Sequence, residues 1–265
     1  MMSIIAGLKS YHVDCGYSNA IFESDGQLRR IIRGVKVVNG MKPKNERLPI
    51  TKPIVVDLVA HCEESSYDGI AIKAAICVAF AGFLRIGEFT HNAWNSTSHE
   101  SFISRGAVAF GEDSVTITLP KSKTDPFSKG VPITMSATGD SICPRDALKK
   151  LIARFKAPAD PPLFSCNSQF SYRNGLYFTR EWFMTNVRDL LTKGGRNPIG
   201  YSGHSFRKAA AHSAAAAGLS NEDIKTLGRW KSEAYRLYMG HDKARRLRLS
   251  TRLSHASHLR SAPRS

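Results

Sequence analysis

The chain has 265 residues, 42% of them apolar and 23% charged, enough for one large domain or two modest ones and unlike a disordered chain. Lys and Arg number 38 against 22 Asp and Glu, a formal net charge of +16, so a polyanion is the expected partner and nucleic acid the first choice. Five widely spaced cysteines (Cys15, Cys62, Cys77, Cys143, Cys166) with no Cys-x-x-Cys argue against a disulfide framework or a zinc knuckle and predict free thiols in a reducing compartment.

The apolar start, Met-Met-Ser-Ile-Ile-Ala-Gly-Leu, is too short for a signal peptide, and no run reaches the roughly 18 apolar residues of a membrane span. A soluble intracellular protein is expected. His91, His99 and His212 lie near no Cys or carboxylate at ligand spacing, and there is no Walker-type loop, so neither metal nor cofactor is expected.

In chain order, residues 1–40 predict two helices, one with Ile4, Ile5, Leu8 and Tyr11 on a face, the other with Leu28, Ile31, Ile32 and Val35. So short a stretch cannot build its own core and is expected to dock on something. A basic, Pro-rich linker follows at 43–53, and Thr51 with Pro53 predicts a helix start. The run from Tyr67 to Leu84 is apolar nearly all round, the mark of a buried central helix. At its end Arg85 precedes Glu88 by three residues, a spacing that alone reads as a solvated surface pair.

Alternation over 107–120, with a Gly111-Glu112-Asp113 turn, predicts a hairpin, and Val131-Pro132-Ile133-Thr134 a further strand of a small antiparallel sheet. Lys121, Lys123 and Lys129 fall between them and alone read as solvated charges. Amphipathic helices are predicted from Pro144 to Phe155 and, capped by Thr179, to about Leu191.

Ser205 is read as the N-cap of an apolar helix ending at Gly218, which sets His204 and Arg207 one turn apart where free backbone N–H groups favour an anion. Ser220 to Asp223 is a capping box opening a helix that stops at Gly228. Trp230 follows, then Tyr235 and Tyr238 one turn apart, either of which could attack a bound phosphate. Residues 241–265 form a basic, Ser-rich tail.

His-x-x-Arg at 204–207, Leu-Gly-Arg-Trp at 227–230 and a Tyr eight residues beyond the Trp together resemble the tyrosine recombinases, the phage integrase family. The wording from Gly228 to Tyr238 is most similar to recombinases of fungal Crypton-type mobile elements. The resemblance implies a mainly helical fold with a small antiparallel sheet (α+β), a catalytic domain at 54–240, and a partial helical core-binding arm at 1–42 whose opening helices are absent. It carries Gly-Phe-Leu-Arg-x-Gly-Glu onto residues 82–88, with Arg85 as the first active-site arginine and Glu88 as its support. It further implies Lys123 as general acid, with Lys121 as the alternative, together with His204, Arg207, Trp230 and Tyr238 as nucleophile, leaving Tyr235 as a packing aromatic.

The activity so implied is site-specific breaking and rejoining of double-stranded DNA through a 3′-phosphotyrosine, by a homo-oligomer, a tetramer on paired sites, in the nucleus. The rival expectations are a catalytically silent DNA-binding remnant and a type IB topoisomerase.

Overall fold

The computed structural model of the chain describes residues 2–18, 20–23, 26–39, 47–90, 102–120, 130–154, 159, 161–166, 178–236 and 251. The chain divides into two units, Met1–Glu46 and Arg47–Ser265.

The first unit holds α1 (Met2–Asp14), a 3₁₀ turn at Ala20–Phe22 and α2 (Gln27–Val38). Phe22 is buried edge-on to His12, with ring centroids 5.5 Å apart. Ile4, Leu8 and Tyr11 of α1, and Ile31 and Val35 of α2, are exposed. Two helices of this length do not enclose a core of their own.

In the second unit, the N–H of Leu48 donates to the Gly200 carbonyl (3.0 Å) and that of Ile50 to Ser205 (3.2 Å), so the segment opening the unit lies along the approach to a later helix. Next comes α3 (Lys52–Ala60), with Thr51 at its N-cap and Pro53 in the first turn, where the missing N–H costs nothing. Ser66 caps α4 (Tyr67–Ala81) by accepting from Gly69 N–H.

As the all-round apolar pattern requires, α4 is central; it packs against α3, α5 (Pro144–Arg154) and α7 (Ser205–Ala216). It ends earlier than the apolar run, because Gly82 caps it and Phe83 turns left-handed at φ 51°.

The sheet is antiparallel in the order β1 (Val108–Phe110), β2 (Ser114–Leu119), β3 (Val131–Ser136). Val108 faces Ile117 and Ser114 faces Ser136. This register buries Val115, Ile117, Leu119, Ile133 and Met135 on one face, where α5 covers β2 and β3. Thr116 and Thr134 hydrogen-bond through their hydroxyls at 2.9 Å on the other.

The helix α6 (Arg180–Lys193) starts at Thr179, whose hydroxyl accepts from Trp182 N–H. Its Phe183 stacks edge-on with Phe89 (5.2 Å) and lies 6.0 Å from Phe206 of α7. These rings tie the segment after Glu88 to the first turn of α7. Last, α8 (Asn221–Leu227) opens on the expected capping box, Ser220 with Asp223. The architecture is mainly helical with one small antiparallel sheet, as the sequence predicts.

Candidate active site

The site begins where α4 ends. Arg85 is the N-cap of a 3₁₀ turn at Ile86–Glu88, and Glu88 folds back to complete a capping box. One carboxylate oxygen, Oε2, accepts from the Arg85 backbone N–H at 2.8 Å, while Oε1 accepts from Arg85 Nη1 at 2.7 Å. The Glu88 side chain is only 6% exposed and that of Arg85 23%, so this is no solvated surface pair.

Two more arginines reach the same carboxylate: Arg229 Nη2 at 3.1 Å from Oε2 and Arg207 Nη1 at 4.0 Å. Three guanidiniums about one carboxylate leave an excess of positive charge in a poorly hydrated place, which favours an incoming anion.

The second contribution is the start of α7. Its N-cap is His204, not Ser205, which is already the first helical residue. Ser205 turns inward instead: its N–H donates to the Ser202 carbonyl and its hydroxyl accepts from Ser202 N–H, both at 2.8 Å.

The approach is tight. A Cβ on Gly203 would stand 2.4 Å from Ile86 Cγ2 and 3.5 Å from Arg180 Nη2, so only glycine lets this segment close on the Arg85 turn. His204 is half-buried, and burial first, then the charges of Arg47, Arg180, Arg207 and Arg85, hold its pKa below the usual 6.5. It is therefore neutral at neutral pH.

Arg207, one turn into α7, is fully buried, its side chain 0% exposed. Nη1 donates to the Phe83 carbonyl at 2.7 Å, Nη2 donates to that of Gly228, and the guanidinium lies 4.4 Å from the centre of the Trp230 ring. Its two terminal nitrogens thus each hold a protein carbonyl.

The third contribution is the end of α8. Gly228 N–H donates to Ile224 and Trp230 N–H to Lys225, both at 2.9 Å, closing the helix in a Schellman-like turn with Arg229 left-handed at φ 55°. Trp230 thereby meets Phe83 edge-on at 6.3 Å and Tyr235 at 6.2 Å. Tyr235 is 2% exposed and sits in this cluster as a packing aromatic.

Arg85, Glu88, His204, Arg207 and Trp230 are thus gathered from three elements. Lys121, Lys123 and Tyr238 lie outside the described residues. Sequence reasoning missed Arg180 and Arg47, which no motif marks as different from other surface cations, Arg229, which stands in the Leu-Gly-Arg-Trp motif but was given no role, and Phe83, whose carbonyl serves two arginines. Among the described residues no group of His, Cys, Asp and Glu is arranged to hold a metal, and no helix is long and apolar enough to cross a membrane.

No protein-family model and no curated protein matches the sequence. Solved structures do. The site-specific recombinase XerH bound to its difH substrate before cleavage aligns with 84% of the chain at TM-score 0.55 and 15% identity. XerA recombinase aligns with 98% of the chain and 83% of its own at TM-score 0.53 and 17% identity. The fold is that of the tyrosine recombinase catalytic domain. The XerH post-cleavage complex with palindromic difH gives TM-score 0.56 at 15% identity. The present chain spans 57% and 53% of the two XerH chains. At these identities the likeness to tyrosine recombinases is one of fold.

Proposed function

We propose that the chain is a DNA strand-breaking and rejoining enzyme, a site-specific recombinase or integrase that works through a covalent 3′-phosphotyrosine. The observation that supports it most is the gathering of Arg85 and Arg207 about the buried Glu88, with Trp230 against Arg207 and His204 within the field of both arginines, on the fold of enzymes that carry out such chemistry.

A phosphodiester repels nucleophiles by its charge, so the site must supply cations, a nucleophile and an acid. Arg85, partly exposed and fixed by Glu88, donates to a non-bridging oxygen and stabilises the charge that builds there in the transition state. His204, neutral at neutral pH, adds a hydrogen bond without further charge. The arginine cluster favours the phenolate form of Tyr238. Tyr238 Oη bonds to phosphorus, the bond from phosphorus to the 5′-oxygen breaks, and Lys123 gives that oxygen its proton. Attack by a 5′-hydroxyl from another strand reverses the step.

Double-stranded DNA is the partner, and a homo-oligomer on paired sites would turn cleavage into exchange. Origin in a Crypton-type mobile element and action in the nucleus rest on the wording of residues 228–238 alone.

A second reading, a DNA-binding chain that does not cleave, is favoured by one specific observation: Arg207 is fully buried with both terminal nitrogens on protein carbonyls. One experiment separates the two. The chain is incubated with a pool of nicked random duplexes and denatured in SDS. The first reading gives a covalent protein–DNA adduct that Tyr238→Phe abolishes; DNA binding with no adduct establishes the second.

A further inference from the structure

We propose that Arg229 is the positioning residue of the anion site, holding Arg85 in place through Glu88; the inference rests on the phosphate-binding part of the reading above. Among the described residues, Arg229 hydrogen-bonds to none of the groups expected to meet substrate. Its guanidinium instead reaches back to one stretch, Gly82 to Glu88, that is remote from it in sequence. Nη1 donates to the Gly82 carbonyl at 2.8 Å, and Nη2 donates to the Phe83 carbonyl at 3.3 Å and to Glu88 Oε2 at 3.1 Å.

The two carbonyls lie just past the end of α4, whose C-cap is Gly82, and there the negative end of the macrodipole adds to the hydrogen bonds in stabilising a cation. Glu88 Oε2 accepts from both Arg85 N–H and Arg229, while Oε1 holds Arg85 Nη1. Without Arg229, the carboxylate loses one of the donors that fix its plane, and the Arg85 fork loses the orientation that plane imposes.

Two features show that this arrangement is maintained against cost. Arg229 is one of two non-glycine residues with positive φ among those described, and the other is Phe83, whose carbonyl it binds. Its Nε is buried without a hydrogen-bond partner among the described residues, so the guanidinium is placed for its terminal nitrogens at the expense of the third. The side chain is only 13% exposed, which makes it a poor direct ligand for a DNA backbone.

The test uses inorganic phosphate and the arginine reagent phenylglyoxal on the full chain, with modification of Arg85 followed by peptide mass spectrometry. Arg105, buried elsewhere with Nη2 on the Ile152 carbonyl, reports intact fold by remaining unmodified. Phosphate is expected to protect Arg85 in the native chain. Arg229→Gln should raise the half-protecting concentration about tenfold, the equivalent of one charge-assisted hydrogen bond, and Arg229→Lys should recover part of it.

Unchanged protection in Arg229→Gln overturns the proposal, as does an absence of phosphate protection in the native chain. If Arg229→Gln exposes Arg105 by unfolding, Arg229→Lys decides: protection equal to native overturns the proposal and weakened protection supports it. Failure of the strand-cleavage reading shows separately, as a native chain that protects Arg85 with phosphate yet forms no adduct.

Discussion

A Cβ on Gly228 would lie 1.6 Å from Cζ3 of Trp230, so the indole occupies the space that any other residue would fill. The backbone there is ordinary, at φ −83°, and alanine meets no dihedral penalty. The requirement for glycine is steric. Gly228→Ala must push Trp230 off Arg207 and Phe83, and overpacking of this kind costs about 1–3 kcal/mol. The expected result is a lower urea midpoint and a changed near-ultraviolet circular dichroism spectrum, with the far-ultraviolet spectrum kept. A native midpoint would show that the ring has room to move.

Arg207 makes a different prediction, because its buried fork binds carbonyls from two segments. Arg207→Leu removes the charge but leaves the Phe83 and Gly228 acceptors without those donors, and each buried acceptor so orphaned costs about 1–3 kcal/mol. The variant should be less stable by a few kcal/mol in urea unfolding, so lost activity in it would not by itself speak to catalysis. Arg207→Lys retains a cation and one of the bonds, and should fall between the two.

Such contacts mark the limit of what the sequence shows. Caps and turns written in local chemistry were legible: Thr179 before α6, the Ser220–Asp223 box, Gly228 as a stop, and the hairpin with Val115, Ile117 and Leu119 alternating with threonines. So was the pairing of Arg85 with Glu88, through the family resemblance rather than through spacing.

What stayed hidden was set by tertiary contact. Nothing local in Phe83 or Arg229 announces a left-handed backbone, and the early end of α4 follows from it. Ser205 looks like an N-cap until its hydroxyl is seen to accept from Ser202, which moves the cap to His204. Arg180 and Arg47 reach His204 from elements that no spacing rule links to it.

His204 links the site to pH. Its folded pKa lies below its ordinary value of 6.5, chiefly through burial and then through four arginines, so the native state binds the proton less readily than the unfolded chain. The contribution to stability is full above pH 6.5 and is lost as pH falls through the folded pKa. His204→Gln keeps a hydrogen-bonding side chain that does not titrate. Between about pH 7.5 and pH 5, where an imidazole of ordinary pKa takes up its proton, the urea midpoint of the native chain should fall further than that of the variant. Equal falls would mean that acid sensitivity arises elsewhere.

The exposed and buried arginines should separate in the salt dependence of DNA binding. Each phosphate neutralised by a protein cation contributes about −0.9 to the slope of log K against log salt on duplex DNA. Arg47 and Arg180 are exposed beside His204 and are placed to meet backbone phosphates. Arg47→Gln and Arg180→Gln should each make the slope shallower by about one without disturbing the fold. Arg229→Lys, whose parent side chain faces Glu88 and backbone carbonyls, should leave the slope unchanged. The contrast matters because net charge cannot produce it: Gln at position 47 or 180 lowers that charge by one, and so would Gln at any surface lysine. Slopes that respond equally to remote surface lysines and to Arg47 or Arg180 would assign DNA affinity to the basic surface as a whole. Slopes that respond only to the two arginines assign it to the face that carries His204 and Arg85.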